Sequence, residues 1–144
     1  MKTRILLFAV LIMSFNACTK DPINTTEVLN NVANGTWKVT KFIDSGKDET
    51  ADFKGFTFTF TDNGGVTAMS SNGTVYNGNW TSEDHSSDDH PKGDSSKFVL
   101  FISGPNFLTE INEDWDILSM TDKKIELKHV SGGNGGTDFL TFEK

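Results

Sequence analysis

Phenylalanine alternates with threonine from Phe56 to Phe60. Strand side chains point to opposite faces with a period of two, so the three rings share one face and the threonines the other. Burying three Phe rings stabilises by about 5 to 9 kcal/mol, which decides the core face and forbids a one-residue slip. Asp62-Asn63-Gly64-Gly65 tolerates positive φ, and Val66 to Met69 leaves in extended form, so the unit predicts a hairpin.

The same strand-and-turn pattern fills the chain from Gly35 onward. Trp37, Val39 and Ile43 alternate through Thr36 to Ile43, with Lys41 breaking the pattern where the strand bends or ends. Asp44 to Asp52 reads as a charged loop. Val66 to Ser71 and Thr74 to Thr81 follow the Phe56 strand, the latter with Tyr76, Gly78 and Trp80 on one face; the glycine marks close backbone approach or a coil in the strand. Ser82 to Lys97 is too polar to pack and reads as a loop. Phe98 to Ser103 is apolar on both faces, which predicts cover on each side. Gly104-Pro105-Asn106 turns the chain, and Phe107 to Asn112 fits either a strand continuation or a helical turn. Trp115 to Met120, Lys124 to Val130 and Phe139 to Glu143 complete eight predicted strands. Short turns between successive strands favour an all-β antiparallel up-and-down barrel, for which eight strands suffice to close the sheet around side chains or one small ligand. A two-sheet sandwich is the rival architecture.

The N-terminus has a different pattern. Lys2 and Arg4 precede an apolar run from Ile5 to Phe15, which is too short to span a bilayer and has the form of a secretory signal. The single cysteine, Cys18, follows Ala17 where a signal peptidase would cut, and one exported cysteine is not half of an internal disulfide. Ser14-Phe15-Asn16-Ala17-Cys18 resembles the lipobox of bacterial lipoproteins, with Ala17 matching and Phe15 and Asn16 departing from the commoner residues. The resemblance implies acylation of Cys18. Thr19 resembles the outer-membrane sorting case, and Lys20-Asp21 is similar to the surface-export signal of Bacteroidetes lipoproteins, implying a periplasmic-facing or cell-surface position. Acyl chains contribute about 0.8 kcal/mol per buried methylene, so two or three of them anchor the protein without a membrane-spanning segment. The expected organisation is thus a signal peptide over residues 1–17, a lipidated tether with a short helix over 18–33, and one β domain over 34–144. In the second part Thr25 or Thr26 is placed to cap a helix through Val28, Leu29 and Val32, ending near Gly35. That segment serves equally as a plug over one end of a barrel or as the frayed end of the tether.

Charge narrows the partners. Loss of residues 1–17 removes Lys2 and Arg4 but no acid, leaving 11 basic against 20 acidic residues, a formal charge of −9. Such a surface repels phosphate backbones, so nucleic acid is not an expected partner. No arginine remains in the mature chain, which removes the bidentate fork best suited to phosphate or carboxylate ligands.

Gly35-Thr36-Trp37 at the first strand resembles the Gly-x-Trp signature of lipocalins, whose tryptophan closes the base of an eight-stranded barrel. With the Phe56 hairpin, Gly78-Asn79-Trp80, Asp114-Trp115 and the terminal Phe139-Leu140-Thr141-Phe142, residues 34 to 144 are similar to the lipocalin-like lipoprotein domains of Bacteroidetes. The resemblance implies binding of a small, mostly apolar molecule. Two features depart from vertebrate-type lipocalins: the arginine they pack on the tryptophan is absent, leaving Lys144 or Lys128 as substitutes, and no helix follows the last strand.

Three candidate sites follow. One face of each strand lines the interior, with Phe58, Tyr76, Trp80 and Trp115 as expected ligand contacts in an apolar cup; the alternative is an interior filled by these side chains, leaving an interaction or structural module that docks an envelope partner through Asp44 to Asp52 or Ser82 to Lys97. Glu83 to His90 carries His85, His90 and four carboxylates, which suit zinc or calcium chemically but read as a solvated acidic loop. Glu110, Glu113 and Asp114 offer an acid and base pair, yet no nucleophile motif or phosphate-binding loop accompanies them. His129, near a strand end, reads as a rim or surface residue. No cofactor, metal or enzymatic activity is expected.

Overall fold

The computed structural model describes residues 25–83, 96–132 and 136–144. Helix α1 (Thr25–Val32) precedes nine strands: β1 (Thr36–Asp44), β2 (Lys47–Asp48), β3 (Phe56–Phe60), β4 (Gly65–Ser70), β5 (Val75–Glu83), β6 (Lys97–Ile102), β7 (Asp114–Met120), β8 (Lys124–Val130) and β9 (Thr137–Glu143). A 3-10 turn (Thr50–Phe53) and a single helical turn α2 (Asn106–Thr109) lie in the connections. From β3 to β9 each strand pairs antiparallel with the next, and β1 pairs with both β3 and β9. Eight strands therefore close into a ring, while β2 extends β1 as a small hairpin.

The predicted hairpin forms in the expected register, with Phe58 opposite Ala68 and Phe60 opposite Val66. The ninth strand corrects the expected count of eight. It arises inside the predicted Asp44 to Asp52 loop, where Ser45 (φ 47°) and Gly46 (φ 86°) both adopt positive φ and make the two-residue connection of a tight hairpin. Phe107 to Asn112, left open between strand and helical turn, begins with α2. The break at Lys41 is a bulge: Val39 pairs with Phe142 and Lys41 with Thr141, leaving Thr40 as the extra residue. One inserted residue inverts the alternation beyond it, so Phe42 is buried and Ile43, expected on the inner face with Trp37, is not.

Inward-facing side chains form one core. They include Trp37 and Phe42 of β1, Phe58 and Phe60 of β3, Trp80 of β5, Phe98, Leu100 and Ile102 of β6, Trp115 of β7, and Leu140 and Phe142 of β9. On the outer side of β6, Phe101 is 59% exposed, so the cover expected there is not present among the described residues. Helix α1 lies over the end of the ring where β1 begins. Val28 and Val32 are fully buried there, and the Trp37 Nε1–H donates to the Val32 carbonyl at 2.9 Å. At the opposite end, Phe53 from the 3-10 turn and Leu108 and Ile111 from the α2 segment join the core. Gly78 marks the close approach its neighbours predict: a Cβ there would fall 1.9 Å from the Phe101 carbonyl oxygen and 2.7 Å from the Ile102 Cα of the paired strand.

Candidate functional site

Three of the four expected interior contacts are buried: Phe58 is 0%, Trp80 3% and Trp115 0% exposed, while Tyr76 is half-buried toward the α2 end. Ring contacts run through the interior without a break. Phe42 meets Phe53 edge-on at 5.3 Å, Phe53 meets Phe58 at 6.4 Å, Phe58 meets Phe142 at 5.3 Å, and Phe142 meets Phe60 at 5.6 Å. Phe60 then packs against both Trp80 and Phe98, which stack on each other at 5.4 Å. Most of these contacts have the edge-on geometry in which aromatic quadrupoles attract. The indole N–H groups are also satisfied by backbone: Trp80 Nε1 donates to Thr61 O at 2.9 Å and Trp115 Nε1 to Ile111 O at 3.0 Å. Phe58 and Trp80 thus pack against other interior rings, Phe58 against Phe53 and Phe142 and Trp80 against Phe60 and Phe98. Tyr76 instead belongs to a half-buried trio with Phe56 and Phe107 at the α2 end, with centroids 6.3 Å (Phe56–Tyr76) and 5.5 Å (Phe56–Phe107) apart.

At the α1 end, Gly35 turns the chain into β1 with φ 99°, a conformation L side chains avoid. The aliphatic part of Lys144 lies against it, 3.4 Å from where a Cβ would stand. The same lysine carries its ammonium over the Trp37 ring, 4.4 Å from the centroid, and reaches the Asn31 carbonyl at 3.4 Å. Of the two lysines singled out in the sequence, Lys144 is the one that lies on Trp37; Lys128 pairs with Asp116 and Phe139, toward the opposite end. An open cleft of about 450 Å³ beside α1 is lined by Thr26, Leu29, Asn30, Ala33, Asn34 and Asp62.

The α2 end carries the charge. Glu110, grouped in the sequence with Glu113 and Asp114, is not brought to them: it lies beside Glu49, and desolvation together with the Glu49 carboxylate pushes the Glu110 carboxyl up from its ordinary range. Glu49 is held low by its hydrogen bond and ion pair to Lys47. Glu113 and Asp114 instead face His129, whose Nε2 stands 3.7 Å from Glu113 Oε2 and 3.5 Å from Asp114 Oδ1. Behind the imidazole, Nδ1 is 3.5 Å from Oδ2 of Asp138, the residue paired with His129 across β8 and β9. Asp138 is buried and fixed by the Ser45 N–H at 2.7 Å, and the Trp115 ring packs edge-on against His129 at 6.0 Å. The sequence reading placed His129 near the rim but missed this grouping. Its one signal was strand parity: His129 lies two and four residues from the inward-facing Leu127 and Ile125. Cys18, His85 and His90 lie outside the described residues.

No protein-family model matches the sequence, and no curated protein matches it. Among solved structures, a crystal structure of a DUF4847 family protein from Bacteroides vulgatus ATCC 8482 is similar, with 18% identity, a TM-score of 0.49, and an alignment covering 81% of this chain and 96% of that one.

Proposed function

We infer that the protein is a non-catalytic interaction module of a bacterial envelope: a lipocalin-like barrel filled by its own side chains, anchored by acylation at Cys18, that docks a protein partner through its exposed loops. The observation that carries this reading is the unbroken run of ring contacts from Phe42 to Phe98, which occupies the interior a carrier would need for its cargo. Both ends add to it, since α1 closes one and Phe53, Leu108 and Ile111 close the other. The lipocalin-like assignment is supported by the closed eight-strand ring and by Lys144 lying on Trp37 as the arginine of that family does. The lipid anchor and the outer-membrane position rest on Lys2 to Cys18 alone.

A second reading, binding of a small, mostly apolar molecule, is supported by the half-buried aromatic trio Phe56, Tyr76 and Phe107 at the α2 end. Native mass spectrometry of residues 19–144, gently purified and then denatured, separates the two. The interaction module has the mass of bare protein, and apolar probes leave the tryptophan fluorescence unchanged. A stoichiometric released apolar molecule would overturn the filled-interior reading in favour of the carrier.

A further inference from the structure

The group at the α2 end has chemistry that neither reading uses. Oxygen atoms of Glu113 and Asp114 and a ring nitrogen of His129 all lie within 4.8 Å of one another. The His129 contacts, at 3.5 to 3.7 Å, are longer than N–H···O hydrogen bonds. The two at Nε2, to Glu113 and Asp114, are instead near the ligand-to-ligand edge of a tetrahedral site, about 3.3 Å for metal bonds of about 2.0 to 2.1 Å. Nδ1 is sealed from solvent without a hydrogen bond and is aimed at Asp138. A proton placed on Nδ1 faces that carboxylate and leaves the Nε2 lone pair toward Glu113 and Asp114, the tautomer that metal-binding histidines are given by an outer carboxylate.

Charge points the same way. Among the described residues His129 is the ion-pair partner of Glu113, Asp114 and Asp138, so three carboxylates surround one imidazole. Among the described residues even a protonated imidazole leaves two of these negative charges uncompensated, the deficit a divalent cation meets. The ligands are held by the sheet: the Glu113 carbonyl accepts from Leu100 N–H at 3.1 Å, Asp114 opens β7, and His129 sits in the ladder of β8 with β9. Asp114 and Glu113 side chains are 60% and 41% exposed, leaving the approach and a further coordination position to solvent.

We propose that Glu113, Asp114 and His129 bind a divalent transition-metal cation of the zinc class, with Asp138 as a positioning residue that orients the imidazole. One nitrogen and two carboxylate ligands suit Zn²⁺ or its first-row neighbours, and the imidazole selects against Mg²⁺ and Ca²⁺, which take oxygen.

The test is calorimetric titration of Zn²⁺ into the full chain in mild detergent, with circular dichroism to show that each variant is folded. One equivalent should bind. His129→Gln, Glu113→Gln and Asp114→Asn should each weaken binding at least tenfold, and Asp138→Asn about ten- to a hundredfold at unchanged stoichiometry. Co²⁺ should give visible absorption bands that shift in Asp138→Asn and vanish in His129→Gln. The double variant His85→Gln/His90→Gln should bind within twofold of the parent. Loss of binding in that double variant, unchanged affinity in folded His129→Gln, or no binding at millimolar Zn²⁺ would each overturn the proposal.

Discussion

Phe60 is the residue through which the proposed filling of the interior can be measured. Its ring is 1% exposed and meets three others edge-on, Trp80 and Phe98 at 5.7 Å and Phe142 at 5.6 Å. Truncation to alanine removes the buried ring and leaves a void whose walls are held by the closed sheet and cannot collapse inward freely. Phe→Ala in a packed core costs about 3 to 5 kcal/mol, and aromatic pairs contribute roughly 0.5 to 1.5 kcal/mol each beyond their area. With three such pairs lost, Phe60→Ala should reach the upper end, about 4 to 5 kcal/mol. Phe60→Leu, which keeps most of the volume, should cost below about 2 kcal/mol. A domain of this size has roughly 5 to 15 kcal/mol to lose, so the alanine variant should still fold, with its urea midpoint far below that of the parent at an unchanged slope. Equilibrium urea unfolding followed by tryptophan fluorescence reads both values. The new void should stay dry and take up benzene-sized molecules, which would then raise the midpoint of Phe60→Ala but not of the parent. If the interior were an open cup, Phe60 would line free space, and truncation would cost below about 1.5 kcal/mol. A loss that small, or stabilisation of the parent by the same probe, would refute the packing argument.

Further consequences concern backbone, base and charge. Gly78→Ala places a methyl on the β6 backbone and should cost about 3 kcal/mol or more by forcing β5 and β6 apart, whereas Gly73→Ala, at φ 87° with open space around it, should cost only about 1 to 2 kcal/mol; thermal unfolding of the pair gives the contrast. Lys144→Met removes the cation over Trp37 and should cost about 0.5 to 1 kcal/mol, while Lys144→Arg should retain that stability. Glu110 binds its proton more tightly in the fold than in the unfolded chain, so its contribution is full below the ordinary carboxylate pKa and is lost as pH rises through the raised value. Glu110→Gln should therefore gain stability relative to the parent as pH rises above the ordinary carboxylate range; a difference that does not change with pH would rule the linkage out.

What could be read in advance was whatever the period of two controls. The Phe56 to Phe60 face, its hairpin and the eight ring strands follow from alternation and turn residues, each a local property of the chain. The errors fall where one residue changes the parity. Thr40 bulges out of β1 and exchanges Ile43 for Phe42 on the inner face; Lys41 marks the break in the alternation, but nothing beside it says that a residue is inserted. The β2 hairpin hid in a charged loop because Ser45, not a glycine or asparagine, takes the first positive φ. The interior residues were legible as a set, but whether they enclose space depends on how rings from five strands meet, which no single strand encodes. The group around His129 was illegible for the same reason: Asp114 and His129 are on neighbouring strands, and Asp138 joins them through the β8 and β9 register.

The two ends of the ring differ in a way that bears on which one a partner meets. On the proposed anchor, the tether from Cys18 to Thr25 spans at most about 25 Å when extended, at roughly 3.3 to 3.6 Å per residue. Helix α1 follows it directly and closes the end where β1 begins, so on that proposal this end would stay near the membrane. The antiparallel order then places Asp44, Glu49, Glu110, Glu113, Asp114 and Asp138 together at the far end. An acidic face turned toward an anionic lipid surface would be repelled within about a Debye length, roughly 8 Å at physiological salt. Turned away from it, the same face is unscreened by the membrane and open to a basic partner or a cation. The anchor position and the charge distribution thus favour one orientation, and they make the α2 end the surface on which substitutions should change what the protein binds while leaving its attachment intact.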